Sequence, residues 1–487
     1  MSDTSLEMIA TEREEKEKPI ELTQDQLRAI ELNNIGAQLF SQGQYEPAKM
    51  HFLASISTDK ENFQAWMNLG AVLRMFGQYH AAEFVAKRSI LLSNNNVFAK
   101  SNLGVSQLSL RKFDEALRTL KDVVEETQEH GPHWHNYGLA HYMLGQYWEA
   151  LASFERSLEL APDNIRCRSD YSLTLLSLGF LQKGLESYEC RWELLWRSKV
   201  WALNILEWQG EDLDGKHILL HHEQGFGDTL MLSRFVRDIL AKGAKITLAV
   251  PMELTRIMES SFPNISVIDH NLSLKTRESE FDFHSPLLSV VKWLGLEKPE
   301  QIGSEPYLCA QPMTPIKLPS AKVRIGLVWA SGKHTPELEE RRRIVPLVLF
   351  LPLLEIKDLA VISLQKDEGQ ADIARNGLEG LFYDISQKCN DFYDTASVIR
   401  HLDMIICVDS AVAHLAAGMG KDVIMLSPYT RCWRWWDNKT GKPWYNTIIQ
   451  FHQAKDGSWN NAARGACRMV EDFVERHTRS TNETAYL

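Results

Sequence analysis

Trp134-His-Asn-Tyr-Gly-Leu-Ala-His-Tyr-Met-Leu-Gly-Gln-Tyr-Trp-Glu-Ala-Leu-Ala-Ser-Phe154, closed by Pro162, is one copy of a pattern that recurs along the first part of the chain. Its Gly138 falls in a series with Gly36, Gly70, Gly104 and Ser172, at an unbroken spacing of 34. Its Gly145 has counterparts at Gly43, Gly77, Arg111 and Gly179, where one helix turns into the next. Ala150 matches Ala48, Ala82, Ala116 and Gly184, small residues where neighbouring helices approach closely. Phe154 matches Phe52, Leu120 and Tyr188, with Ala86 in the second copy, and Trp66 opens its copy as Trp134 does. Five copies in one register make a stacked helix–turn–helix solenoid, whose usual work is to hold another chain in a concave groove.

A 34-residue period is that of the tetratricopeptide repeat. The repeats are expected over residues 29–200, after a polar tail over 1–28. Thr11-Glu-Arg-Glu-Glu-Lys-Glu-Lys18 in that tail reads as a solvated charge run. The remaining chain is long enough for two further domains. The net charge of −11 argues against a broad phosphate-binding surface, so nucleic acid is not favoured as a partner. No run reaches the ~18 apolar residues of a membrane span, and the N-terminus has no signal-peptide pattern. Seven cysteines without a CxxC pair suit a reducing cytoplasm and offer no thiolate metal site. A cytoplasmic location is expected.

From about Glu207 strands alternate with helical stretches. Strands are expected at 216–222, 245–250, 265–268 and 281–283. After prolines 306, 312, 315 and 319 they resume at 323–329, 359–364, 404–408 and 422–426. Helices are expected at 230–240, 345–355, 394–402, 411–418 and about 467–477. Strands separated by helices give parallel sheets with crossover connections. Two such sets make two Rossmann-like lobes, over 207–318 and 321–459, with 460–487 as a terminal helix and tail. Ligands in these folds bind at the carboxyl ends of the strands.

Three strand-to-helix junctions carry candidate chemistry. At Gly225-Phe-Gly-Asp228, Gly225 and Gly227 allow a tight turn close to a ligand. Asp228 reads either as a cap on the following helix or as a general base facing a cleft. His222, ending the strand before it, either borders the cleft or packs. At Asp409-Ser-Ala-Val-Ala-His414, Ser410 is a good N-cap, and the start of the small-residue helix suits a diphosphate. His414, one turn in, either reaches that ligand or is a satisfied core histidine. At Trp329-Ala-Ser-Gly-Lys-His334, Ser331, Lys333 and the downstream Arg341 and Arg343 form a polar, basic loop that either surrounds phosphates or is solvated. Asp212-Leu-Asp214 has the spacing of a metal-binding pair but reads as a turn. Trp433 and Trp435, in the aromatic stretch 429–437, either stack on a ligand from the cleft wall or pack against the other lobe.

Leu206-Glu-Trp-Gln-Gly-Glu-Asp-Leu-Asp-Gly-Lys216, His222-Glu-Gln-Gly-Phe-Gly-Asp-Thr229, Ile325-Gly-Leu-Val-Trp-Ala330, Ser363-Leu-Gln-Lys366, Val408-Asp-Ser410, His414-Leu-Ala416 and Trp433-Arg-Trp435 together resemble a bacterial family. In it, tetratricopeptide repeats are fused to a glycosyltransferase-like GT-B module. The module is similar to the ADP-heptose transferases, and the architecture is similar to that of the O-linked N-acetylglucosamine transferases. The resemblance implies an all-α repeat superhelix followed by an α/β GT-B module, and an inverting, metal-independent glycosyltransferase of hexosyl or heptosyl type. It places the base on Asp228. It places donor contacts on Trp329, Ser331, Lys333, Arg341, Arg343, Gln365, Asp409, Ser410 and His414. Ala411 stands where those enzymes usually have glycine, and its methyl group narrows the space for a phosphate. The implied co-substrate is a nucleotide sugar, with no metal or other cofactor, and the repeats imply a protein acceptor or partner. The competing expectations are a non-catalytic scaffold and a transferase acting on modified DNA or a glycolipid.

Overall fold

A computed structural model of the protein describes residues 22–193, 203–271, 277–311, 317–331, 343–435 and 444–484. The chain divides into two compact units, 1–106 and 107–487.

In the first unit, helices Gln24–Ser41, Tyr45–Thr58, Phe63–Met75 and Tyr79–Leu92 form antiparallel pairs. Thr23 and Asn62 cap two of them by accepting backbone amides. The 34-residue glycine has a mechanical reason. A Cβ on Gly36 would lie 2.7 Å from the Phe52 ring, inside contact distance. Ala48, Phe52 and Ala82 are fully buried at this seam.

The second unit contains the later repeats and both lobes. Gly138 meets Phe154 as Gly36 meets Phe52. Helices Ile165–Ser177 and Leu181–Tyr188 form the last pair. Leu176, Leu181 and Leu185 belong to the same hydrophobic core as Ile218, Leu220 and Leu232 of the first lobe. The last repeat and the first lobe therefore share one interior. Arg191 is fully buried at this joint and is held by Glu189, Glu223 and Ser289.

The first lobe's strands are β1 (Leu206–Glu207), β2 (His217–His221), β3 (Lys245–Val250), β4 (Ser266–Asp269) and β5 (Phe283–Pro286). They form a parallel sheet in the order β1-β5-β2-β3-β4. The second lobe's strands are β6 (Val323–Val328), β7 (Ala330–Ser331), β8 (Arg343–Ile344), β9 (Leu359–Ser363), β10 (Tyr383–Asp384), β11 (Met404–Val408), β12 (Asp422–Ser427) and β13 (Ile448–His452). Six of them form a parallel sheet in the order β10-β9-β6-β11-β12-β13, while β7 and β8 pair separately. The apolar runs follow from burial on both faces, which all five residues of β11 show. The strand order reverses direction between β6 and β11 in the second lobe and at β2 in the first. Such switch points open crevices at the strand ends.

Several elements differ from expectation. The stretch 230–240 is broken into Phe226–Leu232, a tight turn at Ser233–Phe235, and Val236–Ala241. The tight turn accompanies the buried Arg234 side chain, which donates to the Gly303 and Trp444 carbonyls at 2.8 and 2.7 Å. Residues Leu347–Glu355 form a 3-10 helix containing Pro352, which has no amide to donate. The terminal helix spans Asn460–Thr484. Trp459, just before it, and its own Ala463 and Val470 pack in the second lobe's core. No helix among the described residues is long and apolar enough to cross a membrane.

Candidate active site at the cleft between two switch points

β2 ends at His221, and the chain then passes through Gln224, whose φ of 63° is left-handed. It enters helix Phe226–Leu232 with Asp228 in the first turn. β11 ends at Val408 and delivers Asp409, Ser410 and helix Ala411–Gly418. The starts of these two helices lie against each other. A Cβ on Gly227 would sit 2.9 Å from His414 Cδ2. Only glycine allows this approach without displacing the histidine ring.

Asp228, Ser331, Arg343, Asp409, Ser410 and Arg434 line one cleft of about 580 Å³, with Gly225 and Gly227 on its edge. A depression of about 680 Å³ lies elsewhere, between the terminal helix and Leu347–Glu355. It borders neither switch point, so we assign the site to the cleft.

The capping reading of Asp228 is realised in the geometry, on a residue that also lines the cleft. One oxygen, Oδ2, accepts the Gly225 amide at 3.3 Å, as a cap does. The other, Oδ1, is ion-paired with Nη2 of Arg434. Arg434 also donates to Gln224 Oε1 at 3.0 Å and contacts Cys432 Sγ at 3.1 Å. Burial pulls its pKa down, but the Asp228 carboxylate outweighs this and holds it above the ordinary arginine value. Arg343 forms a second pair, with Asp409 Oδ2 at 3.5 Å.

Ser410 is 6% exposed and makes no hydrogen bond to the helix amides. Its hydroxyl has no hydrogen-bond partner of good geometry among the described residues, with only the weak Cys407 thiol beside it. The expected side-chain cap is absent, so Ser410 does not take up the first amides of the helix. His414 is a satisfied histidine. Its Nδ1 is 3.1 Å from Tyr445 Oη, and its ring stacks on Trp435 at 4.8 Å. Burial drops its pKa to about 3, the nearby Asp228 opposing this and Arg434 adding to it, so the ring is neutral at physiological pH.

Other expected contacts are turned away from the cleft or already engaged. Trp329 is fully buried in the core behind the second sheet, where its indole donates to Asp372 at 3.1 Å. Strand alternation turns it away from the cleft. His222 packs edge-on against His270 at 4.3 Å, and burial lowers its pKa to about 4. Gln365 borders the cleft, but its amide is used by backbone: Oε1 accepts from Trp329 and Ala330, and Nε2 donates to Ala330 and Lys366. Trp433 and Trp435 are 3% and 5% exposed and pack behind the wall. Lys333 and Arg341 lie outside the described residues. Asp212 and Asp214 form a turn, closed by the Asp214 amide on Asp212 at 3.2 Å.

Sequence reasoning missed Arg434. The available signal was Trp433-Arg-Trp435, an arginine between two tryptophans in the aromatic stretch expected to border the cleft. Phe226 and Phe392, one from each lobe, meet edge-on at 5.3 Å at the cleft and were also missed.

Comparison with known proteins agrees with this architecture. Residues 134–164 match the tetratricopeptide repeat, and residues 361–457 match glycosyltransferase family 9 (heptosyltransferase). The chain thus joins tetratricopeptide repeats to a glycosyltransferase-like module with parallel sheets. It is 25% identical over 329 residues to protein FlbA of Caulobacter vibrioides, covering 62% of this chain and 54% of that protein. The chain therefore spans about half the length of this curated relative. Among solved structures, TTC0263, a thermophilic TPR protein of Thermus thermophilus, is 22% identical with a TM-score of 0.32, over 34% of this chain and 91% of its own. MamA of Desulfovibrio magneticus is 18% identical with a TM-score of 0.29, over 36% of this chain and 97% of its own.

Proposed function

We propose that the protein is an inverting glycosyltransferase that moves a sugar from a nucleotide-sugar donor to an acceptor hydroxyl without a metal ion. The observation that carries this reading is that Asp228 of one lobe and Ser410, at the start of helix Ala411–Gly418 in the other, line one cleft. The donor diphosphate lies at the start of helix Ala411–Gly418, where free amides and the helix dipole favour anionic oxygens. Ser410 donates a further hydrogen bond. Arg343 and the basic loop containing Lys333 and Arg341 offset the charge that builds on the leaving diphosphate. The acceptor enters beside Gly225–Asp228. Asp228 takes the hydroxyl proton as the acceptor oxygen attacks the anomeric carbon and the bond to the diphosphate breaks. Gln365 positions the β6–β7 connection, and His414 supplies a neutral ring on which Gly227 packs. The acceptor is a protein recruited through the repeats, and the reaction takes place in the cytoplasm.

One observation favours a second reading, a nucleotide-sugar-binding scaffold without turnover: Asp228 is already engaged by Arg434 and Gly225. Hydrolysis of a panel of nucleotide sugars separates the two. In the enzyme, Asp228→Ala lowers the rate by about a hundredfold or more, within the range of general-base catalysis, while circular dichroism stays native. Unchanged turnover in that variant removes Asp228 from the role of base. Binding without turnover in the wild type establishes the scaffold.

A further inference from the structure

The cleft holds arginines that already have counter-ions, and the pair on Asp228 blocks the oxygen a base would use. Arg434 is fixed to that oxygen by charge, but its other polar contacts are uncharged: Gln224 Oε1 and Cys432 Sγ. Its Nε, buried, has no hydrogen-bond partner among the described residues. Its guanidinium also lies over the Trp433 ring at 4.7 Å, a surface across which a planar cation can slide. Arg434, Asp228 and Arg343 all act electrostatically on His414, one turn into helix Ala411–Gly418. Arg434 is therefore placed near the start of that helix. Asp228 would keep its second anchor, the Gly225 amide on Oδ2, if the arginine left Oδ1.

We propose that Arg434 exchanges its counter-ion during the cycle, leaving Asp228 for the diphosphate of the incoming donor. This rests on the reading that the diphosphate binds at Ser410. A diphosphate carries more charge than a carboxylate and presents oxygens that match the guanidinium fork. Binding the donor then uncovers Oδ1 of Asp228 for the acceptor hydroxyl. While Arg434 pairs with Asp228 the base stays masked, and the donor binds before the acceptor. Arg434 is a positioning residue for Asp228 and a donor contact in turn.

Calorimetric titration of the full chain with ADP, GDP, UDP and CDP tests this. The carboxylate competes with the diphosphate for Arg434, so Asp228→Asn should tighten binding of the preferred nucleotide by about three- to tenfold. Arg434→Met should weaken it by about tenfold or more, and Arg434→Lys, which keeps the charge without the fork, by less. The decisive quantity is the double variant: with Arg434 absent, Asp228→Asn should give little or no gain. An equal gain in both backgrounds means simple repulsion between Asp228 and the ligand, and overturns the exchange. So does no gain in Asp228→Asn. In both cases wild-type nucleotide binding leaves the glycosyltransferase reading standing. Failure of all four nucleotides to bind wild-type protein removes that reading, and the exchange with it. If Arg434→Met does not fold, Arg434→Gln, which also lacks the charge, serves as the background for the same comparison.

Discussion

At Asp228 one carboxylate meets two demands, capping its own loop through Oδ2 and facing Arg434 through Oδ1. Beside it, His414 and the more remote His221 are held uncharged. Burial depresses each to about 3, with the neighbouring His284 adding to the effect at His221. In the unfolded chain each titrates near 6.5. Below that value the unfolded chain takes up protons that the folded chain refuses. The stability these groups support is therefore complete above pH 6.5 and is lost as pH falls toward 3. Denaturant titrations are expected to show a loss of about 2 kcal/mol per histidine between pH 6.5 and 5. In His414→Gln the pH dependence should be shallower by that amount; an unchanged slope contradicts a buried neutral ring. The neutral state was not legible in the sequence, where His414 reads equally as ligand contact or core residue. The Tyr445 and Trp435 contacts that decide it come from residues about 20 to 30 positions downstream.

At the scale of elements, the site depends on two helix starts brought within van der Waals distance. Gly227→Ala would place a methyl group 2.9 Å from His414 Cδ2. Overpacking of this kind costs about 1–3 kcal/mol, and here it also parts Asp228 from Ser410. Thermal melting should show the loss, and donor hydrolysis should fall more than the melting shift alone explains. Full activity in Gly227→Ala would mean that the close approach is not needed. Ala411, at the first position of the opposing helix, tests the phosphate site from the other side. Ala411→Gly is expected to tighten nucleoside diphosphate binding by a few-fold, and an unchanged affinity would place the phosphate away from that methyl group. Both junctions were legible as positions, because each falls where an apolar strand gives way to a helix. The side-chain direction of Trp329 followed a simpler rule that the motif reading passed over. Val328 ends β6 facing the cleft, so Trp329, the next residue, faces the core behind the sheet.

At the scale of the molecule, the glycine period identified the repeats, but it did not show that the last of them shares a core with the first lobe. A departure from the period marks a separate contact, between the third repeat and the second lobe. Arg111 stands where other repeats have a turn glycine and adopts a left-handed φ of 61°. Its guanidinium reaches toward Gln453 and the Lys455 carbonyl of the second lobe, at 3.4 and 3.5 Å. Nearby, Asp114 pairs with Lys455 at 2.6 Å and Phe113 stacks on Tyr429. A repeat that loses its turn glycine here gains a docking residue. Leu185, in the last repeat pair, is 2% exposed within the core it shares with Leu220 of β2. Leu185→Ala should therefore destabilise the glycosyltransferase module itself by about 2–5 kcal/mol. Calorimetry should show the same transition shifted by Leu185→Ala and by Leu220→Ala. Separate transitions would mean that the repeat and the lobe unfold independently.

The central claim is that the donor's diphosphate rests at the start of helix Ala411–Gly418, across the cleft from Asp228. Crystals grown with the tightest-binding nucleoside diphosphate test it most directly. Phosphate oxygens are expected within hydrogen-bond distance of Ser410 Oγ and of the first amides of that helix. A nucleotide well ordered on any other surface, with Ser410 untouched, would contradict it.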